Sequence, residues 1–236
     1  MLLSFTDAAV DPLWKDLNLE LQPGELLVVL GPNGVGKTTL LGTILGTRHL
    51  TAGSVRIADE ARHHIGVIPQ QRMFPPDLPL RARDLVSLSA AHGVLRGRKP
   101  PKGDVDALLA RVGATGLAQR RVGQLSGGQQ QLIRQAQALA VTPRLLLADE
   151  PLLSLDPGVQ QHTVSLFAEL KKEGTALMVV THDINPLIEH VDRILYLAPY
   201  GHTIGSVDQV MQSEKLSELY AAPVNVVRVD GRIVVV

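Results

Sequence analysis

The sequence predicts an α/β fold with a parallel core. Three short apolar runs, and the helical stretches between them, carry that prediction. Leu26–Leu30 is bounded by Gly24-Glu25 and Gly31, Leu145–Ala148 by Pro143 and Asp149-Glu150-Pro151, and Ala176–Val180 ends two residues before His182. Runs this short and this uniformly apolar are the pattern of strands covered on both faces, as in a parallel sheet. Lys37–Leu45 follows the first run and reads as a helix. Val159–Lys171 lies between the second and third runs and reads as another, with Val159, Val164, Phe167 and Leu170 on one side. Strand–helix–strand alternation marks a parallel α/β core.

Two stretches depart from that pattern. Residues 74–123 carry Pro75-Pro76, Pro100-Pro101 and several glycines between helical patterns, and read as an inserted, mainly helical subdomain. Its Leu95–Arg121 portion holds Arg96, Arg98, Lys99, Lys102, Arg111, Arg120 and Arg121 against Asp104 and Asp106. That excess is either a solvated face or a surface near anionic lipid or a membrane partner. At the C-terminal end, Val224–Val229, Asp230-Gly231 and Ile233–Val236 read as a β-hairpin, in which Asp-Gly supplies the positive φ angles of a two-residue turn.

Composition closes off several classes. Apolar residues make up 45% of the 236, which excludes a mostly disordered chain. Lys and Arg total 23 and so do Asp and Glu, so no global basic field argues for nucleic acid. The absence of cysteine excludes disulfides, thiolate zinc sites, iron–sulfur clusters and Cys nucleophiles. No apolar run approaches the ~18–20 residues of a spanning helix. The N-terminal stretch meets Asp7 before any basic side chain and does not read as a signal peptide. A membrane role is therefore expected to come through another chain.

Three motifs carry chemistry. Gly31-Pro32-Asn33-Gly34-Val35-Gly36-Lys37-Thr38-Thr39 fits the phosphate-loop pattern G-x-x-x-x-G-K-[ST], between a strand and a helix. Glycines let successive N–H groups curl around one anion, and the helix that follows aims its positive end at it. Lys37 would place its charge on the β- and γ-phosphate oxygens, and Thr38 would ligate Mg²⁺. The second motif, Leu145–Glu150, ends an apolar strand in two carboxylates at the edge where parallel sheets bind ligands. Asp149 suits holding Mg²⁺ through its waters, and Glu150 suits orienting or deprotonating the attacking water. The third, Leu125-Ser126-Gly127-Gly128-Gln129-Gln130-Gln131, is a second helix start with small residues and free N–H groups, hence a second anion device. One lysine-bearing loop with two such devices points to a nucleotide held by a partner copy.

These residues resemble the nucleotide-binding subunit of ABC transporters. Leu125–Gln129 ahead of the two-carboxylate strand is the most specific feature. Gln70, in Gly66-Val67-Ile68-Pro69-Gln70, matches the Q-loop glutamine, Ser154-Leu155-Asp156 the D-loop, and His182 the switch histidine. The resemblance covers residues 3–205. It implies a P-loop NTPase (RecA-like) core with a mainly parallel sheet, an antiparallel β subdomain and an inserted α-helical signature subdomain, with the C-terminal hairpin beyond. The whole of 1–236 would be one ATPase domain, with its core at about 1–73 and 141–205, the helical subdomain at about 74–140 and an appendage at about 206–236.

The implied cofactors are ATP and Mg²⁺. Gly31 to Thr39 would surround the phosphates, and Thr38, Gln70 and Asp149 would serve the metal. Glu150, His182, Gln70 and Lys37 would carry catalysis. Members of the family pack head to tail with two ATP molecules between them, so Ser126, Gly127, Gly128 and Gln129 would complete the site of a second copy, and Asp156 would lie with the nucleotide. The aromatic that stacks on adenine would fall near Ala9–Val10, where Val10 is the apolar substitute. Leu132 and Gln137 stand where arginine is common, and Leu152-Leu153 where a small polar pair is usual. No catalytic group is lost, so an active ATPase is expected.

The single ATPase domain lacks the coiled-coil or zinc inserts of DNA-repair relatives and the duplicated domains of translation factors. The expectation is a transporter subunit at the cytoplasmic face of the cell membrane. It would work with permease subunits and, through them, an extracytoplasmic substrate-binding protein, without nucleic acid. Residues Gln70–Gly93 would form the groove for the permease. Glu150–Asp156, Thr181–Pro186 with Val191–Leu197, and Ser213–Tyr220 running on to Val229–Arg232 resemble the zinc/manganese uptake branch. Iron chelates, cobalamin, an exported lipid or drug, and a soluble remodelling ATPase stay open as alternatives.

Overall fold

Each of the three apolar runs is a strand, and every residue in them is buried. The structure, a computed structural model, describes residues 1–70, 73–93 and 102–236. In chain order its elements are β1 (Leu3–Val10), β2 (Trp14–Leu21), β3 (Leu26–Leu30), α1 (Lys37–Ile44), β4 (Ala52–Ile57), α2 (Asp59–Arg62), β5 (Ile65–Ile68), α3 (Ala82–Gly93), α4 (Lys102–Arg111) and α5 (Gly127–Leu139). They continue with β6 (Leu145–Asp149), α6 (Pro157–Lys172), β7 (Ala176–Val180), β8 (Arg193–Ala198), β9 (Gly201–Gly205), α7 (Val207–Val210), α8 (Ser213–Tyr220), β10 (Val226–Val229) and β11 (Arg232–Val235). Two compact units contain them: Met1–Ala58 with Ala176–Val236, and Asp59–Thr175.

In the first unit β3 lies between two parallel partners. Val28 pairs with Val179 of β7 on one side and with Ile194 of β8 on the other, and β9 runs antiparallel beyond β8. Coverage on both faces explains the unbroken apolar runs. A second sheet, in the order β2-β1-β4, is antiparallel throughout. Its β2 shows the alternation of a half-covered strand, with Leu17, Leu19 and Leu21 buried and Asn18 and Glu20 exposed.

Polar side chains pin the entry to β3. The Leu26 N–H donates to Asp192 at 2.8 Å. Glu25 accepts from the Gln22 N–H at 2.8 Å and from Arg193 at 2.6 Å, and Arg193 also donates to the Glu20 carbonyl. The C-terminal hairpin turns on Asp230 (φ 48°) and Gly231 (φ 76°), the left-handed pair expected of Asp-Gly. Asn185 clamps it, donating to the Ile233 carbonyl at 3.0 Å and accepting the Ile233 N–H at 2.8 Å. Burial, with the Tyr220 hydroxyl 3.0 Å away, pushes the Tyr196 hydroxyl above the ordinary tyrosine range.

In the second unit β5 and β6 pair in parallel, Ile68 beside Ala148. Helices α3 and α4 fall within the stretch 74–123 that reads as mainly helical, and α5 follows it. On α6, Val164, Phe167 and Leu170 are buried as the periodicity predicts, whereas Val159, in its first turn, is half-buried. Gln135 of α5 donates to Thr163 of α6 at 3.1 Å. Of the basic cluster, Arg111 pairs with Glu173 at 2.6 Å, at an exposed site. Arg96, Arg98, Lys99 and Pro100-Pro101 lie outside the described residues. Among the described residues no helix is long and apolar enough to cross a membrane.

Replacing Asp192 by Ala would strand the Leu26 N–H inside the sheet, at a residue with no exposed surface. Urea unfolding of Asp192→Ala should show a loss of about 1–3 kcal/mol, the cost of an unsatisfied buried donor. Asp192→Asn keeps an acceptor and should retain most of the stability.

Candidate nucleotide site

The phosphate loop starts where β3 ends. Gly31 has φ 139°, and a Cβ added there would overlap the Leu197 carbonyl of β8. Gly36 has φ 97° and is the N-cap of α1. Both angles are costly for any side chain. Glycine at the cap also means that no side chain competes for the first N–H groups of α1, which suits an anion there. Lys37 is 8% exposed, and its ammonium donates to the Gly31 and Pro32 carbonyls at 2.7 and 2.9 Å. The charge is thus folded back over the loop that it would share with a phosphate. Thr38, the second residue of α1, is exposed. His182 is exposed two residues beyond β7, whose Val180 pairs with Val29 of β3. Strand register thus brings His182 to the same sheet edge as the loop.

The second unit places its carboxylates at a corresponding edge. Asp149 ends β6 and is 5% exposed, and Glu150 follows with a left-handed backbone, φ 49°. Gln70 is exposed two residues beyond β5, whose Ile68 pairs with Ala148. Gln70, Asp149 and Glu150 therefore share the C-terminal edge of the β5–β6 pair. Ser126 is the N-cap of α5. Its hydroxyl accepts the Gln129 N–H at 3.3 Å while the Gln129 side chain accepts the Ser126 N–H at 3.2 Å. Asp156 caps α6, accepting the Val159 N–H at 3.1 Å. Among the described residues no His, Asp or Glu cluster is arranged to hold a metal by itself.

Residues 14–153 match the ABC transporter family. The chain belongs to that family. This ABC ATPase is 33% identical over 216 residues to the manganese transport system ATP-binding protein MntB of Bacillus subtilis, covering 89% of this chain and 86% of that one. To the zinc transport system ATP-binding protein TroB of Treponema pallidum it is 32% identical over 222 residues, 91% of this chain and 83% of that one. The glutamate transport ATP-binding protein GluA of Corynebacterium efficiens is 34% identical over 198 residues, 78% of this chain and 79% of that one. Among solved structures, a metal-chelate type ABC transporter in an inward-facing conformation matches with a TM-score of 0.82 at 28% identity, over 100% of this chain and 95% of that one. The ATP-binding cassette MJ0796, a dimer bound to ADP and Pi in a post-hydrolysis state, matches with a TM-score of 0.75 at 28% identity, over 87% of this chain and 98% of that one.

The geometry of this ABC ATPase adds a detail to the start of the signature helix. The N–H groups of Ser126 and Gln129 are taken by the reciprocal cap, which does not involve those of Gly127 and Gly128 between them. It also adds residues that the motifs did not flag. Gln130, 1% exposed, accepts the Phe74 N–H at 2.8 Å and donates to the Leu125 carbonyl at 3.1 Å. Arg134 stacks over the Phe74 ring at 4.2 Å. The signature helix therefore grips the chain just beyond the Q-loop. The middle glutamine of three in a row gave no hint of this, because the bond spans 56 residues of sequence.

Gly31→Ala forces both a disfavoured backbone angle and a clash with a strand carbonyl. Thermal unfolding should report a loss of at least about 2 kcal/mol. The same change at Gly34, where an added Cβ meets nothing within 4 Å, should cost only the strain of φ 86°.

Proposed function

We propose that this ABC ATPase energises the import of a divalent metal, zinc or manganese, through separate permease subunits. Two copies would hold two ATP molecules between them at the cytoplasmic face of the membrane, and an extracytoplasmic binding protein would deliver cargo to the permease. We take residues 1–236 as one ATPase domain with the core, helical subdomain and appendage ranges given above. The observation that carries the cargo is similarity, over about nine-tenths of the chain, to subunits named for manganese and zinc transport.

The residue roles proposed are those that the motifs imply. Lys37 neutralises the β- and γ-phosphate oxygens, and the Gly31–Thr39 backbone cradles them. Glu150 takes a proton from the attacking water, Gln70 positions that water, and His182 holds the γ-phosphate. Ser126 to Gln129 would receive the nucleotide of the second copy, with Asp156 beside them. The Thr38 hydroxyl at the start of α1 and the Asp149 carboxylate at a strand end are hard oxygen donors, and they fit Mg²⁺ with Gln70. That ion, when bound, neutralises charge on the transferring phosphate.

Permease docking is assigned to the face that follows Gln70. Met73 and Leu88 are 59% and 48% exposed there. A cavity of about 420 Å³ is lined by Pro69, Phe74, Ser89, Arg134 and Gln137, among others. Residues 71–72 of this face lie outside the described residues. Through Phe74, Gln130 and Arg134, a push on this face reaches the signature helix.

Glu150→Gln should bind ATP, elute as a dimer with it, and hydrolyse it about 10²–10⁴ times more slowly. A persistent monomer would sink the paired arrangement. For cargo, cellular metal content is compared between wild type and Lys37→Ala under metal limitation, and zinc or manganese should fall selectively. A second reading, a different cargo, is favoured by the similarity to a glutamate transport subunit. Unchanged metals would favour it. Failure to co-purify any multi-spanning protein would favour a soluble remodelling ATPase.

A further inference from the structure

We propose that Tyr200, on the two-residue turn between β8 and β9, stacks on the base of the bound nucleotide. This rests on nucleotide binding at the phosphate loop and adds where the base lies. The resemblance pointed instead to the end of β1, with Val10 as an apolar substitute. Val10 is only 9% exposed and offers no face to a ring.

A cavity of about 360 Å³ opens between the β1–β2 turn and the β8–β9 turn, lined by Pro12, Leu13, Trp14, Lys15, Pro199 and Tyr200 among others. Its volume falls in the ~300–1,000 Å³ range of small-molecule sites. Both walls abut the phosphate loop. A Cβ on Gly36 would stand 3.0 Å from Leu13 and from Trp14 Nε1, and one on Gly31 would overlap the carbonyl of Leu197, two residues before Pro199. A nucleotide whose phosphates sit in the loop therefore has this mostly apolar hollow beside it.

The aromatic rings narrow the choice. Phe5 is 2% exposed, and Trp14 is 6% exposed and packed edge-on against it, with centroids 6.4 Å apart at 87°. Neither can present a face. Tyr200 is 74% exposed and is the exposed aromatic side chain among the described residues. Its backbone is held, since its N–H donates to the Leu219 carbonyl at 3.3 Å and Ala198 pairs with Gly201 across the turn. A second observation points to a ligand: Trp14 Nε1 is a buried donor without a hydrogen-bond partner, and it stands against Gly36, between hollow and loop. Stacking uses the π-face that every base has, so Tyr200 would hold adenine and guanine alike.

The test measures affinities of the full-length protein for ADP, GDP and inorganic tripolyphosphate. Wild type is compared with Tyr200→Ala and Tyr200→Phe, and the chain's one tryptophan serves as the fluorescent reporter. Tyr200→Ala should weaken ADP and GDP about 5- to 100-fold and leave tripolyphosphate unchanged, while Tyr200→Phe binds like wild type. The residue is exposed, so the variant should fold, which far-UV circular dichroism checks. Unchanged ADP affinity in Tyr200→Ala would overturn the proposal while nucleotide binding stands. Equal weakening of ADP and tripolyphosphate would also overturn it, because the turn would then act only as support. Wild type that binds neither ligand would overturn the nucleotide reading itself, and the proposal with it.

Discussion

The close approach of β3 and β8 at the mouth of the phosphate loop sets the terms for the first unit. Leu26–Leu30 is covered on both faces and paired along both edges, so the loop springs from backbone with no freedom to shift. At the first loop residue the Leu197 carbonyl occupies the space that a side chain would need. Gly31 is thus required by packing as well as by phosphate geometry. The same approach fixes where β8 ends, and so where the turn carrying Tyr200 can be. A loop held this firmly loses little conformational entropy when an anion arrives, and such pre-organisation favours binding.

Much of this was legible in the sequence, for local reasons. The β3, β6 and β7 runs are uniformly apolar because both faces are covered, and no competing helical period disturbs them. Asp230-Gly231 announces its own turn because few other residue pairs tolerate two positive φ angles. The phosphate loop, the signature and the carboxylate pair are contiguous motifs, so their places at strand and helix ends followed from their neighbours. What stayed hidden depends on residues far apart in the chain. The Asp192 bond to Leu26 spans 166 residues, and the Gln130 bond to Phe74 spans 56. Tyr200 drew no notice because an exposed tyrosine on a turn is ordinary until the turn is seen beside a cavity wall.

The departures from the family pattern become intelligible through packing. Leu152 and Leu155 are 6% and 8% exposed, and they anchor the turn between Glu150 and Asp156. Gln160 donates to the Leu152 carbonyl at 3.2 Å, and Asp156 caps the helix beyond. These contacts hold two left-handed residues in place, Glu150 at φ 49° and Ser154 at φ 60°, at a cost on the order of 1–3 kcal/mol each. Of the apolar pair, Leu152 is buried in this turn beside Glu150, whereas Leu153 is 38% exposed. Leu132 is likewise buried, at 7% exposure, and Gln137 donates to Ser89 at 2.9 Å, so neither position needs a charge.

The C-terminal appendage is bonded to two segments of the first unit near the phosphate loop's sheet edge. α8 supplies the Leu219 carbonyl that fixes the Tyr200 backbone, and Tyr220 meets the Tyr196 hydroxyl of β8. The hairpin grips Asn185, whose N–H and side-chain amide both donate to Asp183, the residue after His182. Truncating the hairpin would remove the two bonds between Ile233 and the Asn185 side chain, and truncating back through α8 would also remove the carbonyl that accepts the Tyr200 N–H. The appendage thus ties down two segments of the first unit: the turn that carries Tyr200, through a backbone bond, and the segment after His182, through the Asn185 side chain.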